Sequence, residues 1–387
     1  MRSAGPYNSG GNASFHVPSP PLRTMSTSNK KIRVAIIGTG AFAEVCHIPG
    51  LQTHPAAEVV AVYGRRLEVA RALADKFGIR HATDDFESLC ADPEIDAVTI
   101  ASANVVHAAQ AIAALKHGKH VFCEKPLAMT AAEAREMAEI ARTSGKVHQV
   151  AFTFRYNYGI RELRRRIAAG DIGKPFFSRI QYDRWDGLAA GWTSSWREKK
   201  EFAGAGMLFD LGSHLFDIGH HVLGPIDKVI GYTHVVPREA PDKVTGVLSA
   251  VETDDMVNAW IRHADGLRGQ FFISRVTPPF AQLGYLEIVG DQGALKAALS
   301  RGGVDFLKAS SPGMPEWMDL ELPPEAADGT PHALGIMMRS FVDACLRGSI
   351  DPTLDASFDD GLAAQLAMSA LLESEQSDRW THLGDVS

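Results

Sequence analysis

The chain has 387 residues, 45% of them apolar, which is enough to build more than one ordinary domain. Its net charge of −7 offers no basic field to nucleic acid or an anionic membrane, and no apolar run approaches the ~20 residues that span a bilayer. Four cysteines, Cys46, Cys90, Cys123 and Cys345, stand far apart without CxxC spacing, which argues against a zinc ribbon or disulfide framework and for a reducing, cytoplasmic setting.

Residues 1–30 are rich in Ser, Gly, Pro and Asn and lack hydrophobic periodicity, so they read as a disordered extension. They have neither the apolar core of a signal peptide nor a twin-arginine pair, and Met25 stands close enough to the first strand to suit an alternative start.

Order is expected from Lys31. IRVAIIG (32–38) is a short continuous apolar run, the pattern of a parallel strand buried on both faces. GTGAFA (38–43) follows, then a helix-compatible stretch from Glu44 broken by Pro49 and Gly50, then a second strand, EVVAVYG (58–64). Strand, glycine turn, helix and strand together form the context in which G-x-G-x-x-[GA] binds a dinucleotide. Gly38 permits the turn, Gly40 admits a pyrophosphate against the backbone, and Ala43 is small enough for close helix–strand contact. The helix start, with Phe42 beside it, offers free N–H groups to phosphate.

At the tip of the second strand, where NAD sites usually carry Asp or Glu, this chain has Gly64-Arg65-Arg66. No carboxylate repels a 2′-phosphate there, and two guanidiniums could pair with one, which favours NADP over NAD. Arg65 stacking on adenine with Arg66 in water is the alternative.

Strand and helix continue to alternate: a helix at 67–78, a strand at 96–102, a helix at 107–118, a strand at 119–126, a helix at 130–145 and a strand at 147–154. Thr130 as N-cap, Glu133 three residues on and Gly145 at the end frame the last helix. This predicts a doubly wound parallel sheet over 31–152 with ligands at the strands' carboxyl ends. Ser102, Asn104 and Glu124-Lys125-Pro126 all fall on that edge, and Lys125 is placed to hydrogen-bond a substrate oxygen. A solvated lysine at a loop start is the plainer reading.

From 153 to 387 the pattern changes. A basic amphipathic helix (158–173) precedes runs at 176–183, 228–236, 257–264, 268–276 and 285–299, the last with a Gly-Asp-Gln-Gly turn. Consecutive strands without helices between them predict a second, α+β domain with a large, mainly antiparallel sheet. Within it, residues 204–224 read at helical period give an apolar stripe and a polar one, Asp210, His214, Asp217 and His221, expected to line a wet cleft. Three readings compete: a solvated face or internal His–Asp pair, a metal site, and a general acid/base His214 supported by Asp210. The third is preferred, because a dinucleotide enzyme needs a proton acceptor facing its nicotinamide, and no metal is expected.

GTGAFA (38–43), SAN-x-x-H (102–107), GKHVFCEKPLA (118–128), AGDIGKP (169–175), D-x-G-x-H-x-x-D (210–217) and EIVGDQGAL (287–295) resemble segments of the Gfo/Idh/MocA oxidoreductases, and the similarity runs from Lys31 to about Leu383. The resemblance implies a Rossmann domain, a C-terminal domain whose open sheet often mediates oligomerisation, Lys125, Asp210 and His214 as the catalytic set, and Asn104, His107 and Glu124 near the cofactor. Ala103, usually proline in the family, and Gly64, often Asp or Ser, depart from its pattern.

The activity expected is reversible oxidation of a secondary alcohol on a sugar, sugar derivative or cyclitol by NADP or NAD, in a homo-oligomer. Trp185, Trp192 and Trp196, among Tyr182, Asp183 and Asp186, suit sugar binding, or plain packing, and Arg155 is a further substrate candidate. The rivals are a non-catalytic dinucleotide-sensing regulator and a reductase of another carbonyl or an imine. Joint presence of Lys125 and the Asp210/His214 pair argues against a sensor.

Overall fold

The computed structural model describes residues 31–278, 284–299, 306–322 and 333–387, so the expected extension at 1–30 lies outside it. Lys31–Ser387 forms one compact unit. The first sheet consists of β1 (Ile32–Ile37), β2 (Ala57–Tyr63), β3 (His81–Thr83), β4 (Ala97–Ile100), β5 (His120–Cys123) and β6 (His148–Val150), in the order β3-β2-β1-β4-β5-β6. All its pairings are parallel. The strand order reverses between β1 and β4, which opens a crevice at the carboxyl ends of the strands.

Local chemistry explains the helices between them. Thr130 and Glu133 form a reciprocal capping box at the start of Ala131–Ser144, and Gly145 ends it at φ +66°. After the glycine turn the chain makes a π-helical turn, Ala43–His47, then a short helix, Ile48–Gln52, with Pro49 in its first turn. The Ile48 N–H bonds back to the Ala43 carbonyl, so the two run on without a break, and Pro49 removes one donor from that run.

Among the described residues the second sheet has nine strands. They are β7 (Pro175–Asp183), β8 (Ile226–His234), β11 (Met256–His263), β12 (Arg268–Ser274), β13 (Gly284–Gly290), β14 (Gly293–Ala298), β15 (Leu307–Ser311), β16 (Met314–Asp319) and β17 (Thr381–His382), in the order β16-β15-β14-β13-β7-β12-β11-β8-β17. Only β7 and β12 pair in parallel. Asp291-Gln292 is the two-residue connection of the β13–β14 hairpin, as the sequence predicts. A small hairpin, β9 (Glu239–Pro241) and β10 (Leu248–Ala250), stands apart.

Two C-terminal helices were not anticipated. Ala333–Arg347 packs Met337, Met338, Phe341 and Val342 into one apolar cluster with Ile32, Val34 and Ile36 of β1. A late segment thus helps to cover the parallel sheet. The helix Phe358–Ser377 packs on Ala131–Ser144, Ser213–Leu223 and β8. No described helix is long and apolar enough to cross a membrane.

Candidate active site

A cavity of about 540 Å³ runs along the carboxyl ends of β1, β2, β4 and β5 and is closed by segments of the second sheet's connections. Gly38, Gly40 and Phe42 of the glycine turn line it, as do Arg65, Ser102, Asn104, His107, Glu124 and Lys125. Trp196, Asp210 and Arg275 line it from the other side. Predicted residues from both halves of the chain, Lys125 and Asp210 among them, therefore meet at one opening.

The turn fits a dinucleotide. Gly38 has φ +113°, and a Cβ there would lie 2.6 Å from the Ala101 carbonyl oxygen. Only glycine lets β1 turn this close to β4. Ala43 is fully buried and does not line the cavity, consistent with a packing role. The two arginines separate: Arg65 lines the cavity, whereas Arg66 does not and has a largely exposed side chain 3.9 Å from Glu68. Of the two expected at the phosphate, only Arg65 reaches the cavity, because Arg66 is the residue that leads into the helix Leu67–Phe77.

Beyond β5, Glu124 is buried and its Oε1 lies 3.1 Å from His47 Nε2. Burial pushes the Glu124 carboxyl up, but the His47 hydrogen bond and the charges of His47 and Lys125 outweigh it and hold it below the usual range. His107 Nδ1 sits 2.9 Å from the Pro126 carbonyl and Nε2 3.3 Å from that of Ser102. Burial pushes its pKa down. A neutral ring donates only once, and the shorter contact identifies Nδ1 as the donor. Asn104 donates to the Ala203 carbonyl at 3.1 Å, tying the two sides of the cavity together.

Lys125 Nζ donates to Asp210 Oδ1 at 2.6 Å and to the Asp210 carbonyl at 2.8 Å. Asp210 rides on a π-helical turn, Leu208–Gly212, that leads into the helix Ser213–Leu223. Its Oδ2 lies 3.7 Å from Arg184 Nη1, so the carboxylate stands between two cations.

The rest of the polar stripe does not line this cavity. The His214 ring is 1% exposed, packs 5.0 Å from the Phe154 ring and 5.9 Å from Phe152, and is not part of the cavity wall. Asp217 is fully buried in an ion pair with Arg155, whose Nη2 also donates to Asp360 and whose Nη1 donates to the Asp355 carbonyl. Arg155 is therefore corrected from substrate candidate to buried ion-pair centre. The π-turn inserts extra arc between Asp210 and the helix Ser213–Leu223, so the ideal 3.6-residue phase used to join these residues fails.

Of the tryptophans, Trp196 lines the cavity with the Arg197 guanidinium 4.5 Å above its ring. Trp192 lies between Arg238 and Arg275, at 4.9 and 5.3 Å. Trp185 is 46% exposed and stands outside the wall, a correction to its expected place. Sequence reasoning missed Arg184, Arg197, Arg275 and His47. Arg184 follows β7 and Arg275 follows β12, so the parallel pairing of those two strands brings them together, and no local pattern signals it.

A doubly wound sheet with a glycine turn, joined by an ammonium–carboxylate pair at its carboxyl edge, defines a dinucleotide-dependent oxidoreductase. Residues 32–152 match the family described as "Oxidoreductase family, NAD-binding Rossmann fold" (GFO_IDH_MocA), and residues 160–296 match the GFO/IDH/MocA C-terminal domain. The chain belongs to the GFO/IDH/MocA family of oxidoreductases. It is 29% identical over 347 residues to levoglucosan dehydrogenase of Pseudarthrobacter phenanthrenivorans, covering 83% of this chain and 88% of the relative. D-glucoside 3-dehydrogenase of Escherichia coli K12 is 36% identical over 203 residues, 52% of this chain and 57% of that protein. A solved levoglucosan dehydrogenase in complex with NADH and levoglucosan superposes with a TM-score of 0.82 at 26% identity, covering 92% of this chain and all of the other.

Proposed function

We propose that this protein reversibly oxidises a secondary alcohol of a sugar, sugar derivative or cyclitol, with residues 31–152 holding a nicotinamide dinucleotide and 153–387 holding the substrate. The observation that carries this is the Lys125–Asp210 pair lining the same cavity as Gly38 and Gly40. Relatives named for levoglucosan and for glucosides support the substrate class.

A bound nicotinamide would supply the hydride acceptor. Everything else falls to the chain's own side chains. Lys125 presents an ammonium to the substrate oxygen and steadies negative charge as it develops. Asp210 keeps that ammonium charged and aimed. His214, one helical turn past Asp210, is assigned the hydroxyl proton, which requires the substrate to open a path to a ring buried beside Phe152 and Phe154. Its burial favours a second reading, in which the Lys125–Asp210 pair handles the proton alone.

NADP is favoured over NAD. Arg65 supplies a guanidinium at the cavity, and a Cβ on Gly64 would lie 2.7 Å from Thr39 Cγ2, so a carboxylate at that position would collide with the glycine turn. The protein is assigned to the cytoplasm as a homo-oligomer, with exposed Tyr232, Trp260 and Trp380 on the second sheet as the surface to be covered.

The test is a panel of sugars, cyclitols and anhydrosugars with both cofactors, followed by absorbance of the reduced nicotinamide. Turnover of at least one member is expected, lowered about 10²–10³-fold in Lys125→Ala. Tight dinucleotide binding with no turnover across the panel would instead support a sensing regulator.

A further inference from the structure

Two adjacent acids outside the cavity have no part in the chemistry proposed for it. Asp254 and Asp255, at the entry to β11, are 5% and 0% exposed. A buried carboxylate is costly unless hydrogen bonds offset the lost water, so the partners of each one reveal its duty.

Asp254 serves the turn that carries Asp210. Its Oδ1 accepts from the Gly206 N–H at 2.6 Å and its Oδ2 from the Leu208 N–H at 2.8 Å. Its carbonyl accepts from the Met207 N–H at 3.0 Å. Three consecutive N–H groups at the start of the π-helical turn thus end on one residue, two of them on its charged side chain. The approach is close enough that a Cβ at Gly206 would lie 2.1 Å from the Asp254 carbonyl oxygen.

Asp255 serves a different stretch of the cavity lining. Its carboxylate takes Arg275 Nε at 2.6 Å, Arg238 Nη1 and Nη2 at 2.6 and 2.8 Å, and the Val236 N–H at 2.8 Å. Arg275 lines the cavity and donates through Nη1 to Glu198 at 2.8 Å. Glu198 in turn accepts the Ser195 N–H at 2.7 Å, closing the short turn that presents Trp196.

We propose that Asp254 and Asp255 are positioning residues with separate duties: Asp254 sets turnover through Asp210, and Asp255 sets sugar binding through Arg275 and Trp196. The assignment rests on the sugar-oxidoreductase reading of the site. The fork at a single peptide bond means that small errors at this point are delivered to two different parts of the site. Misplacing a reacting group by about 1 Å costs on the order of 10²-fold in rate.

The test uses Asp254→Asn and Asp255→Asn in the full chain. An amide at 254 has one acceptor oxygen for two N–H groups, so the turn must shift. Asp254→Asn is expected to lower kcat on the order of 10²-fold with sugar KM little changed. Asp255→Asn is expected to raise sugar KM about tenfold with kcat little changed. Asp254→Glu, which keeps two acceptors, should recover part of the lost kcat.

Hydrogen exchange gives a readout that does not need turnover. Exchange should quicken at 206–208 only in Asp254→Asn and at 195–199 only in Asp255→Asn, with reduced-cofactor binding and melting temperature reporting that both variants fold. Parallel changes in kcat and KM for the two variants, or exchange spreading equally to both segments, would overturn the division of labour. Wild-type protein that turns over no sugar would instead defeat the parent reading, and the exchange maps would then judge the two positioning arms alone.

Discussion

Lys125 Nζ lies 2.6 Å from Oδ1 of Asp210, joining the end of β5 to a turn 85 residues away. A second bond, to the Asp210 carbonyl, fixes the direction of the ammonium. Lysine is a compact point charge with three rotatable donors, so it can hold Asp210 and still turn an N–H toward a substrate oxygen. Lys125→Ala removes that donor, and Lys125→Arg replaces it with a planar fork too large for the same place. Both should lower kcat by about 10²–10³-fold, the usual cost of losing one group that stabilises an oxyanion. Cofactor dissociation constants, measured by nicotinamide fluorescence, should move far less than kcat.

His214 makes a sharper case, because its ring is buried beside Phe152 and Phe154 and does not line the cavity. As the proton acceptor it should be worth ~10²–10⁴-fold in kcat, read from His214→Ala with the best substrate of the panel. A loss below about fivefold would transfer the proton to the Lys125–Asp210 pair.

Much of this was readable from local patterns, and the failures share a cause. Short apolar runs located the parallel strands, and the capping residues Thr130, Glu133 and Gly145 framed their helix correctly, because those signals depend on near neighbours. Lys125 stood out at the abrupt end of its strand, whereas Asp210 came from the helical stripe and from the D-x-G-x-H-x-x-D resemblance. Arg155 was misassigned because its partner, Asp217, is 62 residues away and its burial cannot be seen in the chain. The stripe through Asp210, His214, Asp217 and His221 presumed an unbroken helical phase, which the π-turn at Leu208–Gly212 breaks. Arg275 is invisible in sequence because the register of β12 against β7 delivers it.

Cofactor choice turns on Arg65. With Gly64 packed against Thr39 and Arg66 outside the cavity wall, Arg65 is the cation placed to meet a 2′-phosphate under the NADP reading proposed above. Arg65→Ala should reduce kcat/KM for NADP about tenfold or more while changing that for NAD less than about threefold, since a charge-assisted bond contributes roughly 1.5–3 kcal/mol. Arg66→Ala should leave the ratio unchanged. Equal losses with both cofactors would make Arg65 an adenine-stacking residue instead.

Arg155 and Asp217 support the fold rather than the chemistry. Burial pushes the Asp217 carboxyl up, to about 6, against the pull of Arg155, and at a pH of about 7.5 it is ionised. Asp217→Asn keeps one acceptor oxygen where Arg155 Nε and Nη2 now find two, so a buried N–H loses its partner. Leaving a buried donor unsatisfied costs about 1–3 kcal/mol, which urea unfolding should register as a lower midpoint. The KM for substrate of the folded fraction should be unaffected, since neither residue lines the cavity.

Stability should also fall as the medium is acidified, and the histidines following Asp217 are the reason. Burial, with the nearby charge of His263, pushes His220 down to about 4, and its Nδ1 accepts the Ile226 N–H, a bond that only a ring unprotonated at Nδ1 can make. Burial, with Arg155 and Arg164, pushes His221 down to about 3. An unfolded histidine titrates near 6.5, so between about pH 6.5 and about 4 the unfolded state binds protons that the folded state refuses. The contribution of these two groups is fully present above about pH 6.5 and is lost as pH falls through that window, with a slope of at most ~1.4 kcal/mol per pH unit for each. Asp217 acts in the opposite sense between about pH 6 and 4, because its raised pKa favours the folded state as it takes up a proton. The histidine contribution is therefore read as a difference. His220→Asn keeps an acceptor for the Ile226 N–H but cannot titrate, so its melting temperature should decline less steeply than wild type from about pH 6.5 to about 4.5. Parallel declines would show that His220 is not the group that takes up the proton.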